Sequence, residues 1–183
     1  MAKSRSSGGG LGKVLLGFVL GIVVVAGVIA GYLYFGALPV ATADKAFPFE
    51  KEIVRVPLKA RIESQMKTAP FGTGEDVYEG GARIYRAQCA ACHGTPGKDV
   101  AFAKYMYPDA PQLWKKHAKG NVVGVSDDEP GETYWKVANG IRLSGMPAYE
   151  HVLSDTEMWQ VTLLLKNADQ QLPDPVMRIL AGQ

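Results

Sequence analysis

The stretch Cys89-Ala90-Ala91-Cys92-His93 holds both cysteines of a 183-residue chain, three positions apart, with a histidine directly behind them. Cysteines at this spacing serve three chemistries. Thiol exchangers carry such a pair at a helix start, where the thiol pKa falls. Zinc takes cysteine pairs but needs four ligands. Those would have to come from His93, His117 and His151, and the adjacency of Cys92 and His93 makes a shared tetrahedron awkward. The third chemistry is covalent haem attachment. Residues three apart face the same way on a helical turn. Cys89 and Cys92 can then each form a thioether to one porphyrin edge, while His93 reaches under the ring to offer iron a nitrogen. A redox disulfide leaves the histidine without a role, and no βαβ pattern surrounds the motif. Haem uses all three residues, so one covalently bound haem c is the expectation.

The second axial ligand decides what such an iron can do. A vacant position admits oxygen or peroxide, whereas a Met thioether closes the iron and raises its potential. Of the six methionines, Met1 and Met66 lie in or beside the segments preceding the main domain, and Met158 and Met177 read as packing groups. Met106 is only 13 residues past His93, which leaves little chain to round the ring edge. Met146 is 53 residues past it, in Leu143-Ser-Gly-Met-Pro-Ala-Tyr149. There Gly145 lets the backbone come close and Pro147 stiffens the loop. Met146 is therefore the expected distal ligand. His117, in a wet basic stretch, is its main rival.

CxxCH followed by a Gly-Met-Pro-Ala loop resembles the class I c-type cytochromes, and among them the membrane-anchored single-haem members. The resemblance covers roughly residues 72–172. It implies an all-α fold: a class I cytochrome c haem domain behind an N-terminal transmembrane helix, with the helix through Tyr85 crossing the one that carries Trp159. It implies a close helix approach at Gly81, four before Tyr85 and eight before Cys89. It also implies that a proline carbonyl orients the proximal histidine. Ala110-Pro111-Gln112-Leu113 matches that feature, so the role falls to Pro111, with Pro96 the alternative. Arg142 is a candidate partner for a haem propionate by charge pairing. Trp135, Tyr134 and Tyr149 can offer N–H or O–H donors. Asp127-Asp128-Glu129 is either a wet loop or a docking patch for a partner.

The elements that must position these residues follow from patterning. From Val14 to Phe35 there are 22 residues without a charge, enough for a helix to cross a bilayer at about 20. Ala41-Thr42-Ala43 resembles a leader-cleavage site, but a leader's apolar region runs only about 7–15 residues, so a retained single-pass anchor is expected. Lys3, Arg5 and Lys13 precede the span without an acid. That places the rest outside, on the periplasmic side of an inner (cytoplasmic) membrane. Gly17/Gly21 and Gly27/Gly31 have the small-residue spacing that lets helices pack in lipid. The expected divisions are a cytoplasmic stub, 1–13; the span, 14–35; a connector, 36–71, whose helical part could begin at Pro57; and the haem domain, 72–183. In that domain one helix starts after Thr73 as N-cap and presents Val77, Gly81, Ile84, Tyr85 and Gln88 on one face. Another runs from Gly131 to Asn139-Gly140. A third is capped by a Ser154/Glu157 box. Pro173 and Pro175 are read as ending helical structure.

The function read from these residues is single-electron transfer by a tethered carrier, with no bond chemistry on a substrate. The expected partners are the bilayer and redox proteins or a respiratory complex. Residues 44–71 hold six bases and four acids, and residues 72–183 hold 11 bases and 14 acids. No segment is basic enough for nucleic acid, and no small-molecule substrate is expected. The alternatives are a fixed haem subunit of a larger complex and a haem sensor with a displaceable Met146.

Overall fold

The computed structural model describes residues 8–36, 38–118 and 120–183. The chain divides into two compact units, one ending at Pro48 and one spanning Phe49–Gln183.

In the first unit, helix α1 runs Gly8–Phe35. Residues Gly10–Phe35 are long and apolar enough to cross a membrane, at about 39 Å for 26 residues against a hydrocarbon core of about 30 Å. Their apolar side chains are exposed. Residues 8–13, expected in the polar stub, are helical and continue into the apolar run. Residues 1–7 of that stub lie outside the described residues. Gly17, Gly21, Gly27 and Gly31 face open space.

The second unit is built from α2 (Glu50–Gln65), α3 (Glu75–Ile84), a π turn (Tyr85–Cys89), α4 (Ala90–His93), a 3-10 turn (Ala103–Tyr105), α5 (Pro130–Asn139), α6 (Asp155–Lys166) and α7 (Asp174–Ala181). Two isolated bridges, Thr95 to Lys98 and Lys116 to Val123, are the β-type pairings among the described residues, with no strand. The fold is all-α.

Helix α3 packs on α6 and α7, α5 packs on α6, and α2 packs on α5. The crossing of α3 and α6 is close because Gly81 has no side chain. A Cβ there would fall 2.8 Å from the Gln160 carbonyl carbon and 3.0 Å from Leu164 Cβ. The crossing point is thus Gln160, one residue beyond the expected Trp159. Trp159 itself is buried and stacks on Tyr134, with centroids 4.2 Å apart. Ala82, Tyr85, Val161, Leu164, Val176 and Leu180 are fully buried with it.

Three local expectations are corrected. Pro173 and Pro175 do not stop the helix: Pro173 is the N-cap of α7 and Pro175 lies in its first turn. Proline costs nothing there, since first-turn N–H groups have no intrahelical partner. Pro57 does not begin α2 but lies inside it. The backbone continues through it at the loss of one hydrogen bond. Gly74, not Thr73, is the N-cap of α3, and no side chain caps it.

The capping box of α6 is present. The Ser154 N–H and hydroxyl donate to Glu157 Oε2 at 2.8 and 2.7 Å, and the Glu157 N–H donates to Ser154 Oγ at 3.3 Å. The backbone bond from Ser154, then its hydroxyl, hold the Glu157 carboxyl below its ordinary value. A depressed folded pKa stabilises the fold above the unfolded pKa, and that contribution is lost as pH falls through the folded value. Thermal unfolding across acid pH should therefore show Glu157→Gln flattening the acid-side decline of stability below about pH 4.5. An unaltered acid limb would show that the box carries no pH dependence.

Candidate functional site

The chain reaches the motif through the π turn. The Ala90 N–H bonds to Tyr85 O, five residues back. Such single turns insert one extra residue into a helix and gather at functional positions. The insertion changes register after Tyr85. Gln88, which an unbroken helix would keep on the buried face, is exposed, and Cys89 turns half-buried. Cys89, Cys92 and His93 then line one cavity of about 220 Å³.

Four hydrogen bonds hold the motif's exit. The Tyr85 hydroxyl, on a fully buried side chain, donates to Gly94 O at 2.7 Å, with His93 O at 3.2 Å. The Leu113 N–H donates to His93 O at 3.1 Å. His93 Nδ1 lies 2.7 Å from Pro111 O. A carbonyl only accepts, so Nδ1 carries the proton and Nε2 keeps its lone pair for a metal.

The later loop delivers Met146. Helix α5 ends at Asn139, and Gly140 turns the chain with φ 65°. A Cβ at Gly140 would fall 2.7 Å from Ala148 N and 2.8 Å from Met146 O. The loop folds back on this glycine, and the Ile141 N–H donates to Met146 O at 3.3 Å. Met146 and Tyr149 line the same cavity as the CxxCH motif. The Tyr149 hydroxyl donates to Gln88 O at 2.8 Å, linking this loop to the π turn.

Other expected residues stand elsewhere. Trp135 is buried and outside the lining. Its indole N–H donates to Gln65 Oε1 at 3.0 Å, joining α5 to α2. Arg142 is exposed and is not part of the lining, although its neighbour Ile141 is. The indole is spent on helix packing, and the guanidinium projects from a turn. Tyr134 hydrogen-bonds Asp155 and is likewise away from the cavity. His117 and His151 are exposed and outside the lining.

Two features escaped sequence reasoning. Met106 does line the cavity, and its Cε would meet a Cβ on Gly145 at 2.7 Å. The short chain from His93 is enough to bring it there, so Gly145 makes room for this methyl group. Lys136 also lines the cavity and pairs with Glu132 at 2.6 Å and Asp128 at 3.0 Å. Burial lowers its pKa, but the Glu132 and Asp128 carboxylates outweigh that and leave it raised. Asp128 O also accepts from Lys166 Nζ at 3.1 Å. Asp128, read as part of a wet loop or docking patch, is therefore a fixed partner of α5 and α6. The i to i+4 spacing of Glu132 and Lys136 was the available signal.

The chemistry of the donors separates the three readings of the cysteines. Burial, and next Cys92, push the Cys89 thiol up to about 12, opposite to the lowered value a thiol exchanger needs. Among the described residues no three His, Cys, Asp or Glu side chains gather as a metal-ion site, so zinc lacks ligands. Haem fits. Two thiols three apart, an imidazole with Nε2 free and a thioether face one cavity, whose wall is otherwise mostly apolar, with Val137, Val161 and Leu165 among its residues.

No curated protein matches the chain significantly. Residues 76–164 match a family model described as cytochrome C oxidase, cbb3-type, subunit III. That stretch contains nearly all of α3, the CxxCH turn, α5, the Met146 loop and most of α6. With this match and an all-α fold that folds Cys89, Cys92, His93 and Met146 around one cavity, the chain carries, over residues 76–164, a class I c-type cytochrome domain.

Proposed function

We propose that the protein is a membrane-tethered, single-haem electron carrier. Residues 14–35 cross an inner membrane, residues 36–71 connect, and residues 72–183 form the haem domain on the outer face. Cys89 and Cys92 hold one haem c through thioethers. His93 and Met146 would hold its iron, and the Pro111 carbonyl would orient the His93 ring. The bound haem supplies one-electron Fe(II)/Fe(III) chemistry.

The observation that carries this reading is the convergence of His93, oriented by Pro111 O, and Met146 on a single mostly apolar cavity. His93, its Nδ1 held at the Pro111 carbonyl, would offer Nε2 to the iron, and the Met146 thioether would be the second donor and favour the reduced state. The apolar wall excludes water, and Tyr149 ties the Met146 loop to the π turn. The span keeps the domain near membrane complexes and raises its effective concentration there.

A redox titration of the purified full chain with simultaneous carbon monoxide exposure tests this. A single reversible one-electron wave and no carbon monoxide adduct are expected. A carbon monoxide adduct on the reduced wild-type protein would favour the sensor reading, with a displaceable Met146. A second reading has the chain as a fixed subunit, and what favours it is the oxidase-subunit description of the matching family model. Mild detergent extraction separates the two. Co-purification with a haem-containing complex supports the fixed subunit, and a lone chain supports the shuttle.

A further inference from the structure

We infer that Gln112 is a positioning residue for the proximal ligand, an inference that rests on the haem reading above. Its side-chain amide is fully used. Nε2 donates to Cys92 O at 3.0 Å and to Ala110 O at 3.1 Å. Oε1 accepts the Val100 N–H at 2.7 Å. An amide offers two donor hydrogens at one end and an acceptor at the other. Its partners here are two carbonyls on one side and an N–H on the other, so only one orientation of the amide satisfies them.

These bonds join three segments that share no regular secondary structure: the end of the CxxCH turn, the turn after it at Val100, and the Ala110–Pro111 strand of loop. Pro111, whose carbonyl faces His93 Nδ1 at 2.7 Å, lies between two bonded points, Ala110 O and Gln112 itself. The Leu113 N–H to His93 O bond closes the other side. Gln112 thereby sets how far the Pro111 carbonyl stands from the proximal imidazole. The backbone accommodates it specifically. A Cβ on Gly94, at φ +74°, would fall 2.7 Å from Gln112 Oε1 and 2.7 Å from Lys98 O.

An N–H bond to a carbonyl makes a ligating imidazole a stronger donor, which favours the oxidised iron. Loosening Pro111 therefore weakens that bond and raises the midpoint potential. The test uses the full chain with its haem, purified in detergent, and compares wild type with Gln112→Met, which keeps length and volume but makes none of the three bonds. The His93 Nδ1–H proton, followed by NMR, should exchange with solvent about fivefold faster, as for one lost neutral hydrogen bond. The midpoint potential should move upward, and haem content should stay at one per chain. Gln112→Glu, of equal shape but with an acceptor set against Cys92 O and Ala110 O, should speed that proton exchange further; its added negative charge lowers the potential by itself, so the exchange alone is read for this variant.

Unchanged proton exchange and potential in haem-loaded Gln112→Met would overturn the inference, even with a lowered melting temperature. A measurement on the wild type stands if neither variant accumulates. Both Gln112 side-chain N–H protons and the Val100 N–H should be protected from exchange, and free exchange at these three would overturn the inference. Wild-type chain without covalent haem would overturn this inference together with the haem reading, whereas the first two results leave that reading intact.

Discussion

Met146→Ala is expected to convert a closed iron into one that binds carbon monoxide. The reduced variant should form the adduct that wild type does not, and the Met-type charge-transfer band of the oxidised protein should vanish. The midpoint potential should fall by a few tenths of a volt, within the roughly 0.8 V that axial ligands span. The loss follows from thioether chemistry: sulfur favours Fe(II), and water in its place does not. The fold should survive, because Met146 packs only partly buried against the core. Met106 makes this experiment sharper. It lines the same cavity beside Gly145, so a Met-type band that persists in Met146→Ala and disappears in the double variant would transfer the role to Met106.

The second large effect falls on stability. Gly81→Ala should cost about 3 kcal/mol, the upper end of overpacking penalties. The new methyl group would press on the Gln160 backbone, its carbonyl carbon at 2.8 Å, and on Leu164 Cβ at 3.0 Å. Backbone inside a helix has nowhere to move, so α3 and α6 must separate along their contact. Alanine's better helix propensity returns about 1 kcal/mol at most. Gly80→Ala is the matched control. Its Cβ would meet only the far end of the Gln160 side chain, at 2.7 Å, which can swing aside. Urea unfolding should give a lower midpoint with an unchanged slope for Gly81→Ala and a near-normal midpoint for Gly80→Ala. Equal midpoints for the two would show that the α3–α6 crossing does not depend on Gly81.

Much of this was legible in the residues because the chemistry leaves few choices. Two thiols and an imidazole at fixed spacing restrict the cofactor, and Ser154 with Glu157 announces a helix start whatever packs around it. What was illegible depends on register and on direction. The π turn at Tyr85–Cys89 has no periodic signature, since one inserted residue leaves the apolar spacing before it intact. The helix after Pro173 was misread because proline both ends helices and opens them, and only the following residues' packing decides. Arg142 was proposed from its charge and Trp135 from its N–H, but neither property fixes direction: Arg142 projects from an exposed turn, and a helix sends neighbouring side chains in different directions around Trp135. Trp135 faces Gln65 while Thr133, Lys136 and Val137 face the cavity. Met106 was set aside on chain length, yet a loop needs little chain to reach a cavity wall. The bonds of Gln112 join residues 12 and 20 positions away, and no local pattern encodes them.

The central claim is that haem is joined to the chain for good through Cys89 and Cys92, with iron set between His93 and Met146. Acid-acetone extraction of the full chain, purified from cells competent in cytochrome maturation, tests it most directly. The account predicts that the pigment stays with the precipitated polypeptide, with an added mass of one haem per chain. Pigment released into the acetone, or a colourless protein of unmodified mass, would contradict it.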